Sequence, residues 1–207
     1  MCNLYRMTKV PSEVAHWFDA VDALGGANFG AEVYPGYPGL VVANGELRRM
    51  NWGFPLQMKG KSGQMLKPKP VNNTRTDKLE SFFWRHSFEE RRCLIPITAW
   101  AEAEGPKGRM TRTWLSLPDS DLFACAGIWR HSDEWGDCYS MVMTDAAGAA
   151  RETHTRMPVI VAREDYATWT GGGIEAARAL CRPWAGEISL DRTDEPWAGG
   201  ASQSRLL

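Results

Sequence analysis

Cysteine stands second in the chain, directly behind Met1, in the opening MCNLYRMTK. A small second residue permits removal of the initiator methionine, and Cys2 would then carry a free α-amine and a thiol on adjacent carbons. An α-amine titrates near ~7.7–8.0 and a cysteine thiol near ~8.5, so both have nucleophilic character at neutral pH. With an aldehyde, the amine forms a Schiff base and the thiol closes on it to give a five-membered thiazolidine. With a peptide or thioester, the thiol attacks and an acyl intermediate forms. Both routes need a proton donor and acceptor nearby. Glu102, in AWAEAE, lies on an otherwise apolar segment where partial burial would raise its pKa toward general acid–base use. Taken alone, it reads more simply as an outward-facing strand carboxylate. His154, in ETHTRMPV, leads into another apolar run, and a lone histidine there also has a purely structural reading. The stretch NNTRTD, residues 72–77, mixes amides with a guanidinium, groups that can hold a carbonyl or a phosphate.

Such groups act only where secondary structure positions them. PSEVAHWFDAVDAL, residues 11–24, predicts a helix from its apolar spacing, stopped by Gly25 and Gly26. PGYPGLVVANGELRRMNWGF predicts a hairpin turning at Asn44-Gly45. Residues 55–75 are rich in Gly, Lys and Pro and nearly aperiodic, which predicts a long surface loop. Residues 77–92 predict a helix, followed by a buried strand in CLIPITAWAEAE. RTWLSLP, LFACAGIW, CYSMVMTDAA and RMPVIVA read as further strands, with short helices in REDYATWT and IEAARALCRPW. The tail from about residue 191 has little to bury and is expected to be disordered. Strands in the middle and helices at the flanks give an α+β class with a mainly antiparallel sheet.

At 207 residues with 43% hydrophobic and 24% charged composition, residues 1–207 are expected to form a single domain with an ordinary core. No apolar run approaches the ~20 residues of a membrane span, and a signal-peptide pattern is lacking, so a cytoplasmic location is expected. Five scattered cysteines, Cys2, Cys93, Cys125, Cys138 and Cys181, contain no CxxC pair and no zinc-type spacing. No disulfide framework, metal or cofactor is therefore expected, and Cys93, Cys125 and Cys138 read as buried small hydrophobes. Net charge is −1 and the pI about 6.4, unlike a generic nucleic-acid coat. Residues 47–76 nevertheless contain no Asp or Glu, while Arg48, Arg49, Lys59, Lys61, Lys67, Lys69 and Arg75 fall inside. That pattern suits either a face for an anion such as a phosphate backbone or a solvated lysine-rich loop.

Four segments in this order resemble one family, the SOS-response-associated peptidases, also known as abasic-site processing proteins. They are MCNLY, NTRTD with Asn73 and Arg75, CLIPITAWAE with Glu102, and HTRMPVIV with His154. The resemblance spans nearly the whole chain, with weaker agreement after about residue 170. It implies a barrel-like sheet core flanked by short helices, and a monomer that acts on single-stranded DNA carrying abasic sites in the DNA damage response. By that resemblance mature Cys2 forms a thiazolidine with the ring-opened sugar, and the protein removes its own Met1. Asn73 would hold the α-amine and sugar, Glu102 would move protons, and His154 would assist Schiff-base chemistry and reversal. Arg75, Thr144 and the pair Pro35 and Gly36 would lie along the DNA backbone, with the lysines of the acid-free stretch supplying further contacts. Nucleoid association on damage would follow.

The chain departs from the family pattern at several points. Asn3 and Leu4 stand where many members read Gly-Arg, so a phosphate contact is lost or moved to Arg6. Asp77 replaces the usual Glu of the Asn-Ala-Arg motif, and Ala101 and Ala103 flank Glu102 in place of aromatics. Residues 55–81 contain no aromatic, so electrostatics must carry more of the binding there. Two other readings remain: a cysteine peptidase using mature Cys2 as an N-terminal nucleophile, and a non-catalytic single-strand-binding module.

Overall fold

A computed structural model describes residues 2–26 and 29–197. In chain order the first elements are β1 (Tyr5–Arg6), α1 (Pro11–Trp17), β2 (Val21–Asp22), β3 (Glu32–Val33), β4 (Pro38–Ala43) and β5 (Glu46–Trp52). Next come β6 (Phe54–Lys59), β7 (Met65–Val71), β8 (Asn73–Arg75), α2 (Arg85–Glu90), β9 (Arg92–Ile97) and β10 (Ala99–Glu104). The second half holds β11 (Thr111–Ser116), β12 (Phe123–Ser132), β13 (Gly136–Asp145), β14 (Arg156–Pro158) and β15 (Ile160–Val161). It ends with α3 (Tyr166–Gly171), α4 (Ile174–Ala179) and β16 (Ser189–Pro196). Short helices flank strands throughout, as an α+β class requires.

Strands β13, β12, β9, β4 and β5 pair in succession, and a parallel pairing of Cys138 with Asn51 and Tyr139 with Trp52 returns β13 to β5. The result is a closed five-stranded barrel, antiparallel except at that seam, which leaves no free edge around the ring. β4 and β5 meet through Asn44 and Gly45, both at positive φ (54° and 77°), the two-residue hairpin turn that asparagine and glycine favour. Trp52, Tyr139, Tyr5 and Ile95 are fully buried. The hydroxyls of Tyr5 and Tyr139 share a 2.5 Å hydrogen bond inside the barrel. Gly39 makes room for that pair, since a Cβ there would stand 2.1 Å from the Tyr5 hydroxyl and 2.3 Å from that of Tyr139.

A second sheet, in the order β16, β11, β10, β1 and β3, is antiparallel throughout and carries the N-terminal strand in its interior. Tyr5 enters the barrel core from it, while Leu4 packs in a separate cluster with Ala101 and Trp114.

Several predicted elements differ. The stretch read as a long loop is a two-stranded ribbon of β6 and β7, followed by β8. Pro55 faces Pro70 across it, and a ribbon with two outer edges accepts prolines whose nitrogens face outward. Most of its side chains are exposed, so no hydrophobic alternation marks it in the sequence. The helix expected over residues 11–24 ends at Trp17, because Asp19 turns into left-handed geometry (φ 50°) and Val21–Asp22 joins β5 in parallel. The helix expected over 77–92 shrinks to a 3-10 turn, Thr76–Lys78, and α2. Between them Phe83 and Trp84 turn onto Phe54 instead of following a helical stripe. RMPVIVA divides at Val159, with β14 pairing β13 and β15 pairing β12. Residues 191–196, expected in a disordered tail, are part of β16, whose backbone pairs with β11 although its side chains bury little. Trp197 follows, its N–H donating to the Met110 carbonyl at 2.8 Å, and residues 198–207 of that tail lie outside the described residues.

Among the described residues, no helix is long and apolar enough to cross a membrane, and no group of three or more His, Cys, Asp or Glu could hold a metal ion.

Candidate active site

Residues 2–4 extend β1 toward its N-terminal side, and the Ala101 N–H donates to the Leu4 carbonyl at 2.9 Å, prolonging the ladder with β10. Cys2 is completely buried, its thiol donating to the Leu4 carbonyl at 3.4 Å. Two side-chain amides hold the Cys2 carbonyl: Nδ2 of Asn73 at 2.7 Å and Nδ2 of Asn72 at 3.0 Å. Asn72 also donates to Oδ1 of Asn3 at 3.1 Å, and its own carbonyl accepts from the Trp52 indole at 2.9 Å. Asn73 begins β8, which lies parallel to β13 with Asn73 opposite Met141, and the carbonyl of Asn72 just before it accepts from the Met141 N–H at 2.9 Å. Oδ1 of Asn73 is buried and has no hydrogen-bond partner among the described residues.

Glu102 lies on β10 opposite Thr113 and is 4% exposed. Burial pushes its carboxyl up to about 7, so at neutral pH it is present in both protonation states. Burial, followed by the charge of Glu102, drives the Cys2 thiol far above the ordinary cysteine range. The charge of Glu102 thus acts on Cys2, and the sulfur is held as thiol until a base takes its proton. Burial likewise keeps the phenols of Tyr5 and Tyr139 protonated.

His154 lies between a 3-10 turn, Gly148–Glu152, and β14. Its Nδ1 accepts from the Arg156 N–H at 2.9 Å, which assigns the ring proton of the neutral form to Nε2. Burial lowers its pKa, so the ring is neutral at pH 7. β14 and β8 pair with the same stretch of β13, both at Met143, which brings the His154 segment, Thr144 and Arg75 to one end of that strand. Thr144 is buried opposite Met157.

The expected DNA contacts are placed unequally. Lys59, Lys61, Lys67 and Lys69 are all exposed on the ribbon. Pro35 and Gly36 form the turn before β4, Gly36 at φ 85° with its N–H on the Trp52 carbonyl at 2.7 Å, and they line a cleft of about 500 Å³ together with Lys67. Arg75 is clasped by Asp77 in a two-bond fork of 2.8 and 2.6 Å. Arg6 is engaged by other side chains: it pairs with Glu32 at 3.2 Å and Glu195 at 3.5 Å and lies 3.6 Å over Trp114. It belongs to an ion-pair network with Arg112 rather than to an open phosphate site.

Sequence reasoning joined Cys2, Asn73 and Glu102 only through the family resemblance; the fold brings them into one site. It passed over Asn72 as an individual residue, although the Asn-Asn doublet was visible, and over the buried Tyr5–Tyr139 pair, for which no local signal exists.

A family model described as SOS response associated peptidase (SRAP) matches residues 1–192. The chain belongs to the SRAP family. Its SRAP fold is shared with a crystal structure of a protein from Bacteroides thetaiotaomicron, at TM-score 0.76 and 17% identity over 92% of this chain and 91% of that one. A protein from Bordetella bronchiseptica superimposes at TM-score 0.77 with 21% identity, covering 93% and 99%. A phage-related protein from the same organism gives 0.67 and 19%, covering 93% and 94%. No curated protein matches the SRAP chain significantly. Its family membership brings a peptidase-like, SOS-associated role into view, and the site geometry bears on the chemistry.

Proposed function

We propose that this SRAP protein traps abasic sites in single-stranded DNA through Cys2 once Met1 has been removed, a removal the chain performs on itself. The observation that carries the reading is the pairing of a buried N-terminal-strand thiol, clamped at its carbonyl by Asn72 and Asn73, with a carboxyl that titrates at about 7. Glu102 as an acid gives its proton to the sugar ring oxygen and takes up the proton of the C1′ hydroxyl, so the furanose opens to the aldehyde with Glu102 again protonated. The Cys2 amine adds to C1′, and Glu102 protonates the departing hydroxyl as the carbinolamine loses water to form the protonated Schiff base. Glu102, now a carboxylate, takes the thiol proton, the sulfur adds to the imine carbon, and the nitrogen keeps its proton as the thiazolidine closes. Aldehyde and aminothiol thus give thiazolidine and one water. His154, neutral with its proton on Nε2, supplies a hydrogen-bond donor for the Schiff-base steps and for reversal. The exposed lysines of the ribbon attract the strand, with Arg75, Thr144, Pro35 and Gly36 along its backbone.

The test combines processed protein with a single-stranded oligonucleotide carrying one abasic site, followed by a denaturing gel and intact-mass spectrometry. A heat-stable species at the summed mass less one water is expected, absent for Cys2→Ala and for protein retaining Met1. No adduct from correctly processed protein would sink the reading and move the N-terminal-nucleophile peptidase to first place. Cys2→Ser separates the two chemistries, since serine supports acyl transfer but gives only a labile oxazolidine.

A further inference from the structure

The cleft beside the ribbon has walls that the backbone-contact role of Pro35 and Gly36 does not use. Trp135, in the turn joining β12 to β13, forms one of them, and Glu134 stands next to it. We propose that this cleft is a nucleobase subsite, in which Trp135 stacks on a base neighbouring the lesion and Glu134 accepts from that base's exocyclic amine. The inference rests on the single-strand-binding reading above.

Three features point to a base rather than to another ligand. The first is preorganisation. The Trp135 carbonyl accepts from Nδ2 of Asn51 at 2.7 Å, and the N–H groups of Glu134 and Trp135 both donate to the Ser132 hydroxyl at 3.3 Å. Gly136 then turns the chain at φ 68°. The indole is therefore presented by a pinned turn, half-buried against the barrel core, and loses little freedom when a flat ligand packs on it.

The second is the shape and polarity of the walls. Pro35 and Pro70 add rigid apolar surfaces, and Lys67 places a cation in the lining, suited to the phosphate that accompanies any base. The volume, about 500 Å³, accommodates a nucleotide. The one aromatic of the ribbon, Phe54, is fully buried, so Trp135, coming from a different hairpin, offers a strand tracking along those lysines a stacking surface that the ribbon lacks.

The third is the carboxylate. Residues 47–76, which build half of this lining, contain no acid, and Glu134 enters it from outside that stretch. One of its oxygens accepts from the Gln57 amide at 3.0 Å, which fixes the carboxylate against the ribbon and leaves acceptor capacity for a ligand. A free phosphate would be repelled there. Cytosine, adenine and guanine each offer an exocyclic amine to a carboxylate, whereas thymine offers none.

The experiment uses full-length processed protein and short single-stranded oligonucleotides carrying one abasic site, flanked on each side in turn by cytosine, adenine, guanine or thymine. Affinity is read by anisotropy before crosslinking, and a parallel set carries 2-aminopurine beside the site. Amine-bearing flanks are expected to bind about 5-fold or more tightly than thymine, with 2-aminopurine fluorescence quenched on binding. Trp135→Ala should weaken binding by about 5- to 100-fold and remove the quenching, while Trp135→Phe, which keeps a π-face, retains most of both. Glu134→Ala, which removes the acceptor, should erase the discrimination against thymine. Equal affinity for all flanks, or wild-type affinity and quenching in a folded Trp135→Ala protein, would overturn the subsite. Crosslink formation by the wild-type protein on the same oligonucleotides reads the lesion-trapping proposal separately: if it persists while base preference is absent, only the subsite falls, and if binding and crosslinking both fail, both proposals fall.

Discussion

Replacing Glu102 by glutamine keeps the side chain's size while removing its titration, and the consequences for stability and for chemistry differ in a way that pH exposes. In the folded protein the carboxyl titrates at about 7, against an ordinary value of 4.5. Between those values the folded state holds a proton that the unfolded chain releases. Stability from this group is therefore fully present below about 4.5, falls as pH rises toward 7, and levels off above it. At about 1.4 kcal/mol per factor of ten in proton affinity, the ionised and buried carboxylate costs the fold about 3 kcal/mol at pH 8. Glu102→Gln escapes that penalty. For a chain of this size the gain corresponds to a rise in Tm of roughly 6–12 °C at pH 8, shrinking toward zero near pH 5. Thermal melts of both proteins at the two pH values measure it. Crosslinking should move the other way, losing about 10²- to 10⁴-fold in rate, the usual contribution of a positioned acid–base group. An equal Tm offset at both pH values would refute the raised pKa, and an unchanged crosslinking rate would remove Glu102 from the mechanism.

Converting Lys59, Lys61, Lys67 and Lys69 together to glutamine should lower single-strand affinity and reduce the slope of log affinity against log salt by up to about 3, at about 0.7 per lost phosphate contact; an unaltered slope in a salt titration would make the ribbon a bystander. Asp77→Asn releases the Arg75 guanidinium from its two-bond fork, and single-strand affinity is expected to rise a few-fold with a steeper salt dependence. A fall in affinity by anisotropy would instead mean that Asp77 holds Arg75 in its binding pose. Gly39→Ala should destabilise the protein by about 1–3 kcal/mol, because the added methyl collides with both hydroxyls of the Tyr5–Tyr139 pair. Denaturant unfolding with an unchanged midpoint would contradict that packing.

The residues with intrinsic chemistry were legible from the chain alone, because reactivity depends first on residue type: an aminothiol at Cys2, a carboxyl at Glu102, an imidazole at His154. So were elements whose signal is local, such as the β4–β5 hairpin, where Asn44-Gly45 supplies the two positive φ angles by itself. The α+β class followed from the count and placement of apolar runs. The ribbon of residues 54–71 was hidden because its pairing is sustained without a buried stripe, and its prolines carry the signature of a loop. The early end of α1 was hidden because Val21 leaves the helix to pair with β5, more than twenty residues away.

What the sequence by itself determined is the set of groups able to react and the short-range geometry around them, both properties of single residues and their near neighbours. Only the tertiary structure decided which of these groups work together. It set Asn72 and Asn73 on the Cys2 carbonyl from seventy residues along the chain, raised Glu102 by enclosing it, occupied Arg6 with Glu32 and Glu195, and tied Arg75 to Asp77. Desolvation and hydrogen bonding act through space at a few ångströms, and in a closed barrel the side chains that come so near are chosen by strand order, not by spacing along the chain.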